Sequence, residues 1–355
     1  MRYKPDWEAT QKRFEAFWER EVLDRCMIAV STWKDGAAIP DYTPPRNEEE
    51  EFRRWTDPEL IIRGMRREFE NTYFGGDAFP ILIPNLGAAG HAGFFRGAKF
   101  RFQGSVWFFK SADDPAELEF DRNSFLYQKT LELARAFAED SRGDYMVSMP
   151  DTTGNADALS HLLGPERLFE CFLEEPEATK AALGKIETAY EQIMRDVYDI
   201  VREANQGGSI VGWLSTWAPG FHAQMQSDLS VMISRPMFDE FVLPELTRQC
   251  DFLDYALYHL DGMEQIRHLD SLLSISRLRA IQWTQVAGQP PATDFIPVLK
   301  RIQQAGKCLV MHVSPDQVEP LMQALSSRGL YLLTCMETEA EGRELIKKVE
   351  KWTHD

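Results

Sequence analysis

Short apolar, β-prone runs recur along this chain, separated by amphipathic stretches, and that alternation constrains the fold more than any other feature. Eight runs stand out: Cys26–Ser31, Phe79–Pro84, Tyr145–Met149, Ser209–Leu214, Tyr255–Leu260, Ala280–Trp283, Cys308–Val313 and Leu330–Thr334. Between them, Ser124–Asp140 lays Leu126, Leu131, Leu133, Ala134 and Phe137 along one helical face. Pro176–Ala204 does the same with Leu183, Ile186, Ala189, Ile193, Val197 and Ile200. Strands that alternate with helices pair in parallel through right-handed crossovers. Eight such units predict an α/β fold, a (β/α)8 TIM barrel. A doubly wound open sheet is the rival, but no Gly-rich phosphate loop follows an early strand.

The remaining segments fit around that frame. Trp7–Glu21 carries Phe14, Phe17 and Trp18 at helical spacing, so residues 1–24 are expected to form a helical extension packed across the barrel. Ala98–Lys110 (AKFRFQGSVWFFK) alternates in places and contains Gln103-Gly104, which predicts an inserted hairpin over the barrel mouth. Pro40–Arg46 reads as a loop and Glu48–Glu51 as a solvated acidic run. No internal repeat and no linker divides residues 1–355, so a single domain is expected.

Composition narrows the function classes. The formal charge of −17 argues against nucleic acid or an anionic membrane as partner. No apolar run approaches the ~20 residues of a membrane span. The five cysteines, Cys26, Cys171, Cys250, Cys308 and Cys335, are scattered and odd in number, which points to a reducing compartment. Met1 to Arg20 is charged and aromatic and lacks the apolar core of a signal peptide, so a cytoplasmic protein is expected. Whether it forms a homodimer stays open.

In a parallel barrel, chemistry sits at the C-terminal ends of the strands. Those ends are Asn85-Leu86-Gly87, Asp151 through Asp157 with Asn155 between, Trp213 through Trp217, His259 with Asp261, Gln282-Trp283, His312, and Cys335 with Glu337. A His, a carboxylate and a thiol at one rim form a plausible zinc site, given that His259, Asp261 and Cys335 meet. The plainer readings are that Asp261, with Glu264 three residues on, caps a helix, and that His259 is a hydrogen-bonded structural imidazole. Asp151 and Asp157 could likewise cap the helix near Ala158–Leu163, and Cys335 could be a small buried hydrophobe.

Three stretches carry a family resemblance: Ser230–Pro244 (SVMISRPMFDEFVLP), then YHLDG at 258–262, then the ending GLYLLTCMETEAEGRELIKKVEK. With the Phe- and Trp-rich N-terminal helix, the chain resembles the uroporphyrinogen decarboxylase superfamily from about Asp24 to Lys351. That superfamily includes the cobalamin-dependent methyltransferases of the methylcobamide:coenzyme M type. In them a His-x-Cys pair and a distant Cys bind zinc. The resemblance puts His259 at the His position and Cys335 near the distant Cys, with Asp261 where the family has its middle Cys. Zinc accepts a carboxylate oxygen, so a His259/Asp261/Cys335 set is the implied metal site, with Glu337 and His312 in reserve.

True decarboxylases of the family hold their substrate's carboxylates with an arginine-rich motif; the matching stretch Ile28–Gly36 offers only Lys34, which counts against that activity. The resemblance thus implies a zinc-assisted methyltransferase moving a methyl group between a corrinoid (cobalamin) cofactor, carried by a partner protein, and a small molecule. In that reading Asp151, His259 and Asp261 carry the catalysis. Asn85, Asn155, Gln282 and His312 bind substrate, and Trp213, Trp217 and Trp283 form an apolar wall. Two other classes compete. One is a metal-independent lyase or hydrolase, decarboxylase-like or carbohydrate-active, using Asp151 or Asp261 with His259 as acid and base. The other is a barrel that binds a small molecule without turnover.

Overall fold

A computed structural model describes residues 1–38 and 43–355; four residues of the 39–46 region, including the start of the expected Pro40–Arg46 loop, lie outside the described residues. Thirteen strands follow in order: β1 Met27–Trp33, β2 Thr72–Gly76, β3 Ile81–Leu82, β4 Lys99–Phe102, β5 Val106–Phe109, β6 Met146–Val147, β7 Ser209–Val211, β8 Thr216–Ala218, β9 His222–Met225, β10 Tyr255–Leu260, β11 Leu278–Trp283, β12 Cys308–His312 and β13 Leu330–Cys335. Each of the eight apolar runs contains or overlaps one of them. The anticipated helices appear at Trp7–Trp18, Phe125–Ser141 and Pro176–Val201. β4 and β5 form the expected antiparallel hairpin. The acidic run Glu48–Glu51 is the first turn of a helix, Glu48–Thr56, capped by Asn47, where carboxylates complement the helix dipole.

The central sheet runs β2-β1-β13-β12-β11-β10-β9, parallel throughout except for β1 with β2. β3 and β6 form a separate parallel pair. β7 ties the two through scattered bonds rather than a ladder: Met149 N–H donates to Ile210 O at 2.8 Å, and His222 N–H to Ser209 Oγ at 2.5 Å. The fold is α/β with a mostly parallel sheet, compatible with a TIM-like barrel, but a continuous closed ladder is not found among the described residues. Proline explains part of the interruption. Pro80 and Pro84 bracket β3 and Pro150 follows β6, and a proline cannot donate to a ladder. A second departure concerns the fourth run. β7 turns back antiparallel onto β8, and the strand that pairs with β10 is β9.

Two packed layers show which way each strand's side chains point. Met27, Ala29, Leu257, Ala280, Cys308, Val310, Tyr331 and Leu333 share one inner core, whereas Ile28, Val30, Ala256, Tyr258, Leu260, Ile281, Leu309, Met311 and Leu332 belong to an outer core beneath the helices. This is the period-two alternation of strands buried on both faces. The helix Trp7–Trp18 closes the inner core at the strands' N-terminal ends. Phe14 packs edge-on against Tyr331 with ring centroids 5.5 Å apart, and the Trp18 indole N–H donates to Trp217 O at 2.9 Å. Beside it, the fully buried Asp77 takes a two-pronged contact from Arg25 (2.6 and 3.0 Å), one from Arg13 (3.1 Å) and one from the Ile28 N–H (3.0 Å).

Candidate functional site

At the opposite end, the inward positions become polar. β10 points Leu257, His259 and then Asp261 inward, and the neighbouring β11 points Ala280 and Gln282 the same way, with His259 and Gln282 in register. Gly262 ends the strand with φ of 76°, a backbone conformation that glycine adopts without strain. A Cβ there would also lie 2.6 Å from Gln289 Oε1. Asp261 therefore does not cap the following turn, whose N-cap is Gly262, and its carboxylate is left free to face the histidine.

The His259 ring is held on two sides. It stands edge-on to Trp213, with centroids 5.0 Å apart at 83°. Its Nδ1 meets Gln282 Oε1 in a short hydrogen bond and Thr284 Oγ1 at 3.1 Å. Gln282 Nε2 donates to Trp283 O (2.9 Å) and Thr284 Oγ1 (2.8 Å), which fixes the amide so that Oε1 faces the ring. Nδ1 therefore carries a proton, and Nε2 points the other way. There it meets Asp228 Oδ1 and Asp261 Oδ1, each 3.8 Å away. These separations are too long for direct hydrogen bonds. They approach the ~3.4 Å between two ligands of a tetrahedral ion at zinc distances. Asp228 Oδ1 is buried and has no hydrogen-bond partner. Among the described residues, Asp228, His259 and Asp261 are the group of His, Cys, Asp or Glu side chains whose ligand atoms all lie within 4.8 Å of one another. An imidazole ordered from behind by an amide and facing two carboxylates suits a divalent cation.

More carboxylates surround this group. Asp157 accepts the backbone N–H groups of Asp228 (3.0 Å) and Leu229 (2.7 Å), so it orders the segment that carries Asp228 rather than its own helix. Desolvation, and then repulsion from Asp228, pushes the Asp157 titration upward; desolvation, and then repulsion from Asp261 and Asp151, does the same for Asp228. Asp157, with two N–H donors, is the member better suited to hold the charge. Asp151 is pushed up to about 6, chiefly by desolvation, while His259, Thr153 and Gln224 pull it back. Gln224 Nε2 donates to Asp151 Oδ1 at 2.8 Å and to Gln226 Oε1 at 3.2 Å, and Gln226 Nε2 reaches Asp228 Oδ2 at 3.4 Å. The two acids are thus linked across β9.

Several expected site residues lie elsewhere. Cys335 is exposed at the end of β13, three strands from β10 at ~4.8 Å each, and does not join the ligand group; nor does the exposed Glu337. Trp217 is buried against Trp7 and Phe14 at the strands' N-terminal end, so it lines no wall of the site. Trp283 follows the inward Gln282 and must point outward, where it packs on Phe295 at 4.8 Å. Asn155 spends both ends of its buried amide on His91 (3.1 Å) and Glu187 (2.5 Å). Asn85 is exposed and turns back on the Gly87 N–H. His312 ends β12 on the inward face; desolvation lowers its titration, offset in part by the Trp213 backbone.

Reading the sequence missed Asp228, Gln224 and Thr284. The available signal was the alternation His222, Gln224, Gln226, Asp228, polar at every second position between Ala223, Met225 and Ser227.

The sequence matches no family model and no curated protein. Among solved structures, the chain is similar to a methyltransferase from Methanosarcina mazei, with a TM-score of 0.60 and 14% identity over 96% of this chain and 98% of that one. At such identity the likeness is one of fold. No helix among the described residues is long and apolar enough to cross a membrane.

Proposed function

We propose that the protein is a metal-assisted methyltransferase, built as one TIM-like barrel, that moves a methyl group between a corrinoid carried by a partner protein and a small molecule. The observation that carries this reading is His259 Nε2 facing Asp228 Oδ1 and Asp261 Oδ1 at 3.8 Å each, with Asp228 Oδ1 unpartnered. Those three side chains would hold the ion, zinc or a harder divalent metal, because two oxygens and one nitrogen select less for zinc than thiolates do. When bound, such an ion lowers the pKa of a thiol or hydroxyl and makes it nucleophilic near neutral pH. Gln282 and Thr284 keep the imidazole turned toward the site. Trp213 shields one side of the ring from water. Asp151, with its titration near 6, accepts or returns a proton within reach of neutral pH.

The likeness in fold to a methyltransferase is consistent with this chemistry and does not extend to zinc, corrinoid or substrate. The test is methyl transfer from free methylcobalamin to a panel of thiols and amines, followed by loss of the cobalt–methyl absorbance. The expected result is turnover in zinc-loaded protein that falls about 100-fold or more in Asp228→Asn and His259→Ala. Turnover that survives both substitutions and chelation overturns it. A second reading, metal-independent acid–base catalysis, is favoured by the desolvated Asp151 beside His259, and activity on a lyase or hydrolase substrate in chelated protein would establish it.

A further inference from the structure

We infer that Asp151 and Gln224 form a subsite for the ammonium group of a small protonated amine, next to the His259 cluster. The inference rests on the location proposed above for the active site, and on three observations independent of any metal.

The first is orientation. Ala223 and Met225 belong to the outer core, so Gln224, between them on β9, faces inward. It is 3% exposed. Its Nε2 donates to Asp151 Oδ1 at 2.8 Å, with Thr153 Oγ1 and Gln226 Oε1, each at 3.2 Å, as the acceptors available to its second N–H. A carboxylate can only accept, so this bond fixes the amide and leaves Oε1 as the outward acceptor. Gln224 Oε1 is buried with no partner. Leaving a buried carbonyl unpaired is costly, and a ligand N–H removes that cost.

The second is charge. The electrostatic neighbours of Asp151, Asp157 and Asp228 are other carboxylates and His259, with no lysine or arginine among them. The ion pairs of Asp228 and Asp261 likewise involve only His259. A divalent cation held by Asp228 and Asp261 would still leave Asp151 without a counter-charge. Such a site repels carboxylates, phosphates and sulfonates and attracts cations.

The third is the balance of donors and acceptors. Gln224 Oε1 and Asp228 Oδ1 are unpaired buried acceptors, and the other unpaired groups nearby, the Trp213 indole N–H and the Thr152 and Ser227 hydroxyls, are neutral. An ammonium with N–H donors satisfies the two acceptors, whereas an anion satisfies neither.

The experiment compares three probes of one size, n-propylammonium, n-propanol and propionate, by ligand-observed NMR at pH 7.5. Each is titrated into chelator-treated and zinc-loaded protein. Propylammonium is expected to bind at least about tenfold more tightly than either other probe in both forms. Asp151→Asn and Gln224→Met should each weaken it about fivefold or more, while Cys335→Ala, at an exposed side chain outside the cluster, leaves it within about twofold. Binding of propionate as tight as that of propylammonium overturns the inference, as does propanol binding equally well. Amine binding unaffected by both Asp151→Asn and Gln224→Met overturns it too. The selectivity of the unaltered protein decides the matter even where a variant fails to fold. A protein that takes no metal yet selects the amine contradicts the metal reading and supports this one; the converse result does the opposite.

Discussion

The two ends of the parallel sheet treat their carboxylates in opposite ways. At the N-terminal end, Asp77 is completely enclosed, yet it receives two arginines and a backbone N–H, and the helix Trp7–Trp18 seals the layer with interlocked aromatic rings. At the C-terminal end, no arginine or lysine among the described residues is an electrostatic neighbour of Asp151, Asp157 or Asp228, and Asp228 Oδ1 has no hydrogen-bond partner. The first arrangement is internally complete. The second holds carboxylates together against their mutual repulsion, the feature on which the proposed ligand set rests. The chain therefore spends its arginines on structure and keeps them from the site.

The contrast breaks most visibly at Asp77. Asp77→Ala leaves Arg25, 5% exposed, without its carboxylate, and should cost about 3–5 kcal/mol in urea denaturation. A loss below about 1 kcal/mol would deny that this end is built on its ion pairs. Trp217→Ala should cost a similar ~3–5 kcal/mol while leaving metal stoichiometry intact. Trp213→Ala should disturb the His259 ring and metal affinity more than stability.

A third, intermediate region sharpens the comparison. Glu187 is buried, its Oε2 accepting from Asn155 and Gln249, and desolvation pushes its titration from the ordinary 4.5 to about 7. A carboxyl raised in the fold contributes its stability fully below about pH 4.5 and loses it as pH rises through about 7. At pH 8 the ionised group should cost up to about 3 kcal/mol. Glu187→Gln should accordingly raise the thermal midpoint at pH 8 and leave it nearly unchanged at pH 4; equal effects at both would refute the assignment. The smallest expected effect on stability is that of Asp228→Asn, neutral to about 1 kcal/mol stabilising in metal-free protein, because it removes a carboxylate that sits against Asp261 and Asp151. A large destabilisation there would mean that Asp228 is structural.

Much of this was legible in the sequence. The eight apolar runs, the plugging helix and the hairpin follow from periodicity alone, and His259, Asp261 and Gln282 follow from their place at the ends of long apolar strands. The eight units led to a closed barrel, but no continuous closed ladder is found among the described residues, where prolines hold β3 and β6 to two residues each. Asp228 was hidden by β9, a four-residue strand whose inward side chains, His222 and Gln224, are polar and read as loop. Trp283 was assigned to the site against the alternation that already put Gln282 there. Cys335 followed from family resemblance, and sequence order does not tell how many strands separate two strand ends.

The central claim is that Asp228, His259 and Asp261 form one ligand set. Its most direct test is elemental mass spectrometry of zinc-supplied protein beside the variants Asp228→Asn, His259→Ala and Cys335→Ala. About one metal ion per chain, lost in the first two variants and kept in Cys335→Ala, is the expected result. Metal lost in Cys335→Ala but kept in Asp228→Asn, or no metal in the unaltered protein, would contradict it.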